Sequence, residues 1–214
     1  MKRLLFSNSP TPDLTVWAKE GEETSLAKKF GLNLILQGFT NPANNAAEEY
    51  AFCRKTPGVT VMPVLANGNL VITRTFKQGI NAIVWEFPAG RKPKNATATD
   101  QAQAELSEES GLIAGTMISL GRTCVAPRKF DTYEELFVAT NCAMGEPKPE
   151  PGEILEVYEI DIIEFWHKVF SSEEIVSGFS EMVAARATAM RFIPMISDET
   201  LEDYRMHAGN YGYK

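Results

Sequence analysis

Apolar and polar positions alternate over Leu14 to Lys19 and again over Asn33 to Gln37. Alternation of that period predicts short strands. Gly21 to Thr24 (GEET) reads as a polar turn between them, and Phe39 to Asn45 (FTNPANN) as a loop of turn-forming residues. The clearest pattern lies further on. VTVMPVLA from Val59 is followed by Asn67-Gly68-Asn69 and then by LVITRTFK. Two β-rich runs joined by Asn-Gly predict a hairpin. Asn81 to Phe87 (NAIVWEF) predicts another strand. A polar loop over 91–98 precedes a helix from about Thr99 to Ser110, with Thr99 or Asp100 as N-cap and Gly111 as its stop. Strands are expected near 117–125, 135–140 and 154–161. Over 171–191, Ser171 and Glu174 have capping-box spacing, and Ile175, Phe179, Met182 and Val183 recur at helical intervals. Strands, helix, strands, helix is a mixed α/β (α+β) order. Residues 1–45 form a strand-rich N-terminal segment, expected to act as a dimerisation element or a flap, and residues 46–214 the main domain.

Composition narrows the function. The chain has 214 residues with 21 Lys+Arg and 28 Asp+Glu, a formal charge of −7. With 44% hydrophobic residues it is ordinary globular material. An acidic chain lacks the basic footprint of a polymeric nucleic-acid binder. Cys53, Cys124 and Cys142 form no CxxC pair, so neither a disulfide framework nor a zinc ribbon is indicated. The apolar run Leu4 to Phe6 is too short for a signal-peptide core, and no stretch approaches membrane-spanning length. The expected setting is the cytoplasm, without membrane partners.

The stretch that carries chemistry is Gly90 to Leu112, GRKPKNATATDQAQAELSEESGL. Its helix holds Glu105, Glu108 and Glu109 on or near one face. Like charges at helical spacing repel, so a positive partner is expected. Hard divalent cations prefer carboxylate oxygens. Taken alone, such a cluster is most simply a solvated acidic face.

The wider pattern resembles the Nudix box, the signature of the Nudix hydrolases. That box is Gly, five residues, Glu, seven residues, Arg-Glu, an aliphatic, any residue, Glu-Glu, any residue, Gly, an aliphatic. Gly90, Glu105, Leu106, Glu108, Glu109, Gly111 and Leu112 fall in register without a gap. Ala96 stands in place of the first Glu, and Ala104 in place of the Arg. In the family those two brace the motif by pairing. Losing one partner of a buried pair costs about 3–5 kcal/mol, whereas losing both to apolar residues can be nearly neutral. Upstream, Glu86 to Gly90 (EFPAG) is similar to the ADP-ribose pyrophosphatase branch, which has Gln-Tyr-Arg where this chain has Thr75-Phe76-Lys77.

The resemblance implies a Nudix-type α/β/α sandwich with a mixed sheet and a loop-helix-loop metal site. It implies Mg2+-dependent hydrolysis of a nucleoside diphosphate linked to another moiety, with Mn2+ as substitute, ADP-ribose or a related nucleotide sugar as substrate, and a homodimer. Glu105 and Glu109 are the implied principal metal ligands, with Glu108 sharing the metal and its chemistry, and the Ala89 carbonyl as a backbone ligand. Glu153 is the expected general base, with Glu150 as alternate. Arg74, Lys77 and Trp85 are candidate substrate contacts, although exposed strand charge for the two cations and a core aromatic role for Trp85 are the simpler accounts.

His167 and His207 are the only histidines, and neither lies near a nucleophile motif. Ser-His-Asp and Cys-His mechanisms are therefore disfavoured, as are dinucleotide-fold and P-loop readings, whose glycine motifs are missing. Two alternatives to an enzyme stay open. One is a catalytically weakened Nudix-fold nucleotide-binding or regulatory module, which Ala96 and Ala104 favour. The other is an ordinary α/β protein whose acidic helix is accidental.

Overall fold

The computed structural model describes residues 15–148, 152–171 and 174–194. They fall into two compact units. One runs through Lys55 and includes Val125–Thr132; the other comprises Thr56–Cys124 and the chain from Tyr133 onward.

The first unit is a three-stranded antiparallel meander of β1 (Ala18–Lys29), β2 (Leu32–Thr40) and β3 (Ala47–Lys55). The turn expected at Gly21 to Thr24 is instead part of β1. The chain bulges there, because four steps from Glu20 to Thr24 oppose only two from Gly38 to Leu36. The buried Gln37 amide donates to the Glu20 carbonyl at 2.8 Å, satisfying backbone that the bulge unpairs. The loop expected at Phe39 starts two residues later, at Asn41. There Asn41 Oδ1 and Asn44 Oδ1 accept from the Ala43 and Ala46 amides. Arg54 ties the unit together, bonding Glu23 and Asp131.

The second unit contains β4 (Gly58–Pro63), β5 (Leu70–Lys77), β6 (Ala82–Glu86), β7 (Ala89–Arg91), α1 (Ala98–Ser110), β8 (Leu112–Ile113), β9 (Thr116–Thr123), β10 (Glu134–Thr140), β11 (Ala143–Met144), β12 (Leu155–Ile160), α2 (Ile162–Ser171), β13 (Ile175–Val176) and α3 (Gly178–Ala189). One sheet has the order β7-β4-β10-β9, with β4 and β10 parallel, and another the order β12-β5-β6-β13. β8 and β11 make a small ladder of their own. The expected hairpin is corrected here. Its turn forms, with the Leu65 amide donating to the Asn69 carbonyl at 2.8 Å. The strands then part into different sheets, sharing only the bridge Val64 to Leu70. Every residue of β4 is buried. A strand covered on both faces finds its partners in the interior, and β4 takes β10 and β7.

The sheets lie between two helical layers. Val59 and Val61 of β4, Val71 and Phe137 pack on Ala102 and Leu106 of α1. Met62, Leu70, Ile72, Leu136 and Val138 pack on Phe165 and Trp166 of α2 and Val183 and Ala184 of α3. This is a mixed α+β fold with helices on both faces.

Two helix boundaries differ from expectation. The N-cap of α1 is Thr97, whose Oγ1 accepts from the Asp100 amide at 3.1 Å, not Thr99 or Asp100. The helix expected over 171–191 is shorter, because Ser171 closes α2, which the sequence pattern did not suggest. The signal for α2 lies at Asp161 and Glu164, where Asp161 Oδ1 accepts from the Glu164 amide at 2.8 Å. Among the described residues no helix is long and apolar enough to cross a membrane.

Candidate active site

The run Glu86 to Gly90 carries the chain from one sheet to the other. Phe87 is fully buried, stacks on Phe165 at 5.1 Å, and donates its amide to Ser180 Oγ at 2.8 Å. Pro88 accepts from the Val61 amide at 2.9 Å. Ala89 and Gly90 then pair with Thr60 and Val59. Both ends of the run are thus fixed before it reaches α1.

Helix α1 lies against this run. Ala102, Leu106 and Glu109 recur at helical spacing, so the apolar stripe that seats the helix carries Glu109 inward with it. Glu109 is 5% exposed, and its Oε2 accepts from the Ala89 amide at 3.3 Å. Glu105 presses on Gly90, where no side chain fits: a Cβ there would lie 1.8 Å from Glu105 Oε1. The same Oε1 accepts from Gln101 Nε2 at 2.7 Å. At the far end Gly111 caps the helix in the left-handed region, φ 72°, as expected from the sequence.

A cleft of about 580 Å3 opens here, lined by Ala89, Gly90, Gln101, Ala104, Glu105, Glu108 and Glu153 together with Thr56, Arg91 and Pro93. Burial pushes the Glu109 carboxyl up to about 9, and the charges of Glu86, Glu105 and Glu153 add to the effect. Burial also raises Glu86, while Lys77 beside it pulls the other way. A buried carboxyl crowded by other acidic groups is a site where a cation can take the place of the proton. The donor set is oxygen throughout, which suits Mg2+ or Mn2+. Among the described residues no three acidic, His or Cys side chains group closely enough to hold an ion unaided. Water and substrate oxygens would complete the shell, as is usual for Mg2+.

The expected site residues separate into groups. Ala89, Glu105, Glu108 and Glu153 line the cleft, and Glu109 lies buried against Ala89. Glu150 lies outside the described residues. Arg74 pairs with Trp85 across β5 and β6, on the sheet face opposite the one that carries Lys77 and Glu86. Trp85 is 6% exposed, with the Arg74 guanidinium 5.5 Å and the Lys168 ammonium 4.3 Å from its ring centre. The structure therefore does not bring Arg74 and Trp85 to the carboxylates, whereas Lys77 reaches Glu86 directly. Sequence reasoning assigned no role to Glu86 or Gln101. For Glu86 the signal was a carboxylate inside the otherwise apolar NAIVWEF.

No family model matches the sequence. Over 151 residues the chain is 28% identical to the ADP-ribose pyrophosphatase of Bacillus subtilis (strain 168), covering 67% of this chain and 81% of that protein. A crystal structure of an ADP compounds hydrolase superposes with a TM-score of 0.73 at 15% identity, covering 84% of this chain and 96% of the other. In sequence the chain is thus similar to an ADP-ribose pyrophosphatase, and its fold is that of an ADP compounds hydrolase.

Proposed function

We propose that the protein hydrolyses the pyrophosphate bond of a nucleoside diphosphate linked to another moiety, ADP-ribose or a related nucleotide sugar, giving a nucleoside monophosphate and a sugar phosphate. The observation that carries this reading is the bond from the Ala89 amide to the buried Glu109 carboxylate, Ala89 itself lining a cleft with Glu105, Glu108 and Glu153. A pyrophosphate is a chain of anionic oxygens, so its cleavage depends mostly on charge neutralisation and on positioning water. A divalent ion, Mg2+ or Mn2+, would supply the neutralising charge and lower the pKa of a bound water. Glu105 and Glu109 would hold it, with support from Glu108 and the Ala89 carbonyl. Glu153, on the cleft wall, would accept the proton of the attacking water. Lys77, on the carboxylate side of its sheet, fits a phosphate contact better than Arg74 or Trp85 does.

A second reading has its own support. Ala104 lines the cleft where the box has Arg, and Ala96 replaces the box Glu. Both favour a nucleotide-binding or regulatory module of reduced activity. Incubation with ADP-ribose and a panel of nucleotide sugars, with Mg2+ or EDTA, separates the two. Metal-dependent release of nucleoside monophosphate, lost in E109Q, supports the hydrolase; ligand-raised melting without release supports the module.

Exposed apolar side chains of the N-terminal unit, among them Leu26 of β1 at 53% and Phe30 of the β1–β2 turn at 85%, support its reading as a dimerisation element. Sedimentation of the protein with and without residues 1–45 tests that. The three free cysteines suit a reducing cytoplasm.

A further inference from the structure

A cation contacts one of the buried carboxylates next to the cleft run. Lys77 at the end of β5 and Glu86 at the end of β6 share one sheet face, and the Lys77 ammonium contacts Glu86 Oε1. Glu86 is 8% exposed and stands outside the cleft lining, three residues before Ala89, whose amide bonds Glu109. It lies outside the box, yet among the carboxylates acting on Glu109 its charge weighs most, ahead of Glu105 and Glu153. It also feels Glu153 directly. The Lys77 side chain is 44% exposed, so it reaches from solvent into the buried acidic group. Two opposite charges in contact, one of them buried beside further carboxylates, cannot be electrically silent toward that group.

We propose that Lys77 and Glu86 form a built-in charge pair that sets the cation affinity of the site. The Lys77 ammonium offsets the charge that Glu86 adds beside Glu109, and so holds the affinity for a divalent ion below what the carboxylates alone would give. The inference rests on the cation-dependent reading above and concerns binding, before any substrate is present.

The two members of such a pair act with opposite signs. K77M leaves Glu86 uncompensated and tightens Mn2+ binding on the order of tenfold. E86Q leaves the lysine charge and weakens binding by a similar factor. K77M/E86Q returns close to the wild type, and K77R, which keeps the charge, matches it. Mn2+ titrations followed by electron paramagnetic resonance, without nucleotide, read all four. Circular dichroism melts show which variants are folded, with K77Q replacing K77M if needed. A merely structural pair would make every variant bind more weakly, and that outcome overturns the inference. So does an unchanged affinity in K77M, or a wild type that binds no Mn2+. If the opposite-signed pattern appears in a protein that cleaves nothing, the hydrolase reading falls and the pair stands. If the wild type cleaves but K77M leaves affinity unchanged, the reverse holds.

Discussion

Glu105 Oε1 fills the space that a Cβ on Gly90 would need, the two positions being 1.8 Å apart. The glycine therefore decides where a cleft carboxylate points. In G90A either β7 moves or Glu105 turns away. A displacement of about 1 Å at a reacting site costs on the order of a hundredfold in rate. We expect G90A to fold and to lose about that factor in kcat/KM, with weaker Mn2+ binding. Wild-type kinetics in a folded G90A would show that the contact is idle.

Glu109 makes the metal-free protein sensitive to pH. Its carboxyl is pushed up to about 9, chiefly by burial, from an ordinary value of 4.5. Above pH 4.5 the unfolded chain releases a proton that the folded protein keeps. Stability from this group is complete below pH 4.5 and drains away as pH rises toward about 9. In EDTA the melting temperature should fall across that window. Saturating Mg2+ should flatten the slope, because the ion takes the proton's place, and E109Q should flatten it without metal. A melting temperature in EDTA that does not change with pH refutes the assignment.

The two alanines of the box are testable as a pair. A104R alone adds a cation to the cleft wall, and A96E alone adds an unpaired carboxylate before α1. Together they should restore a brace, with a favourable coupling of about 0.5–3 kcal/mol in a urea double-mutant cycle. Simple additivity would mean that the two positions do not meet in this chain.

Ser180 anchors the run Glu86 to Gly90. Its hydroxyl, fully buried, accepts from the Phe87 amide at 2.8 Å. S180A leaves that amide without its acceptor in the interior, at a cost of about 1–3 kcal/mol. Urea unfolding should show a lower midpoint, and an unshifted one would count against the bond.

The carboxylate cluster was legible in the chain because its spacing is local. Glu105, Glu108 and Glu109 share a helix, and helical geometry alone brings them to one side. Glu86 was harder to read, since its importance comes from a neighbour twenty-three positions away, Glu109, and from Lys77 on another strand. Arg74 and Lys77 look alike as strand cations in the sequence. Only the register of β5 against β6 puts them on opposite faces. Strand β3 escaped notice because AEEYAFCRK is too polar to show an alternating pattern, and its nine residues are recruited by pairing with β2. The short helix α2 did carry a local signal, the Asp161 cap, which was overshadowed by the similar spacing of Ser171 and Glu174.

The Asn67-Gly68-Asn69 turn joins two strands that do not pair with each other. In a true hairpin the turn dictates how the two strands slide against one another. Here that alignment is fixed elsewhere, by β10 and β7 for β4 and by β6 and β12 for β5. The turn is a link in the wiring, held by the Asn67 and Asn69 side-chain amides that donate to Glu159 of β12, and neither ladder takes its alignment from it. Extra residues placed there would lengthen the link and leave both ladders, and the cleft they support, in step.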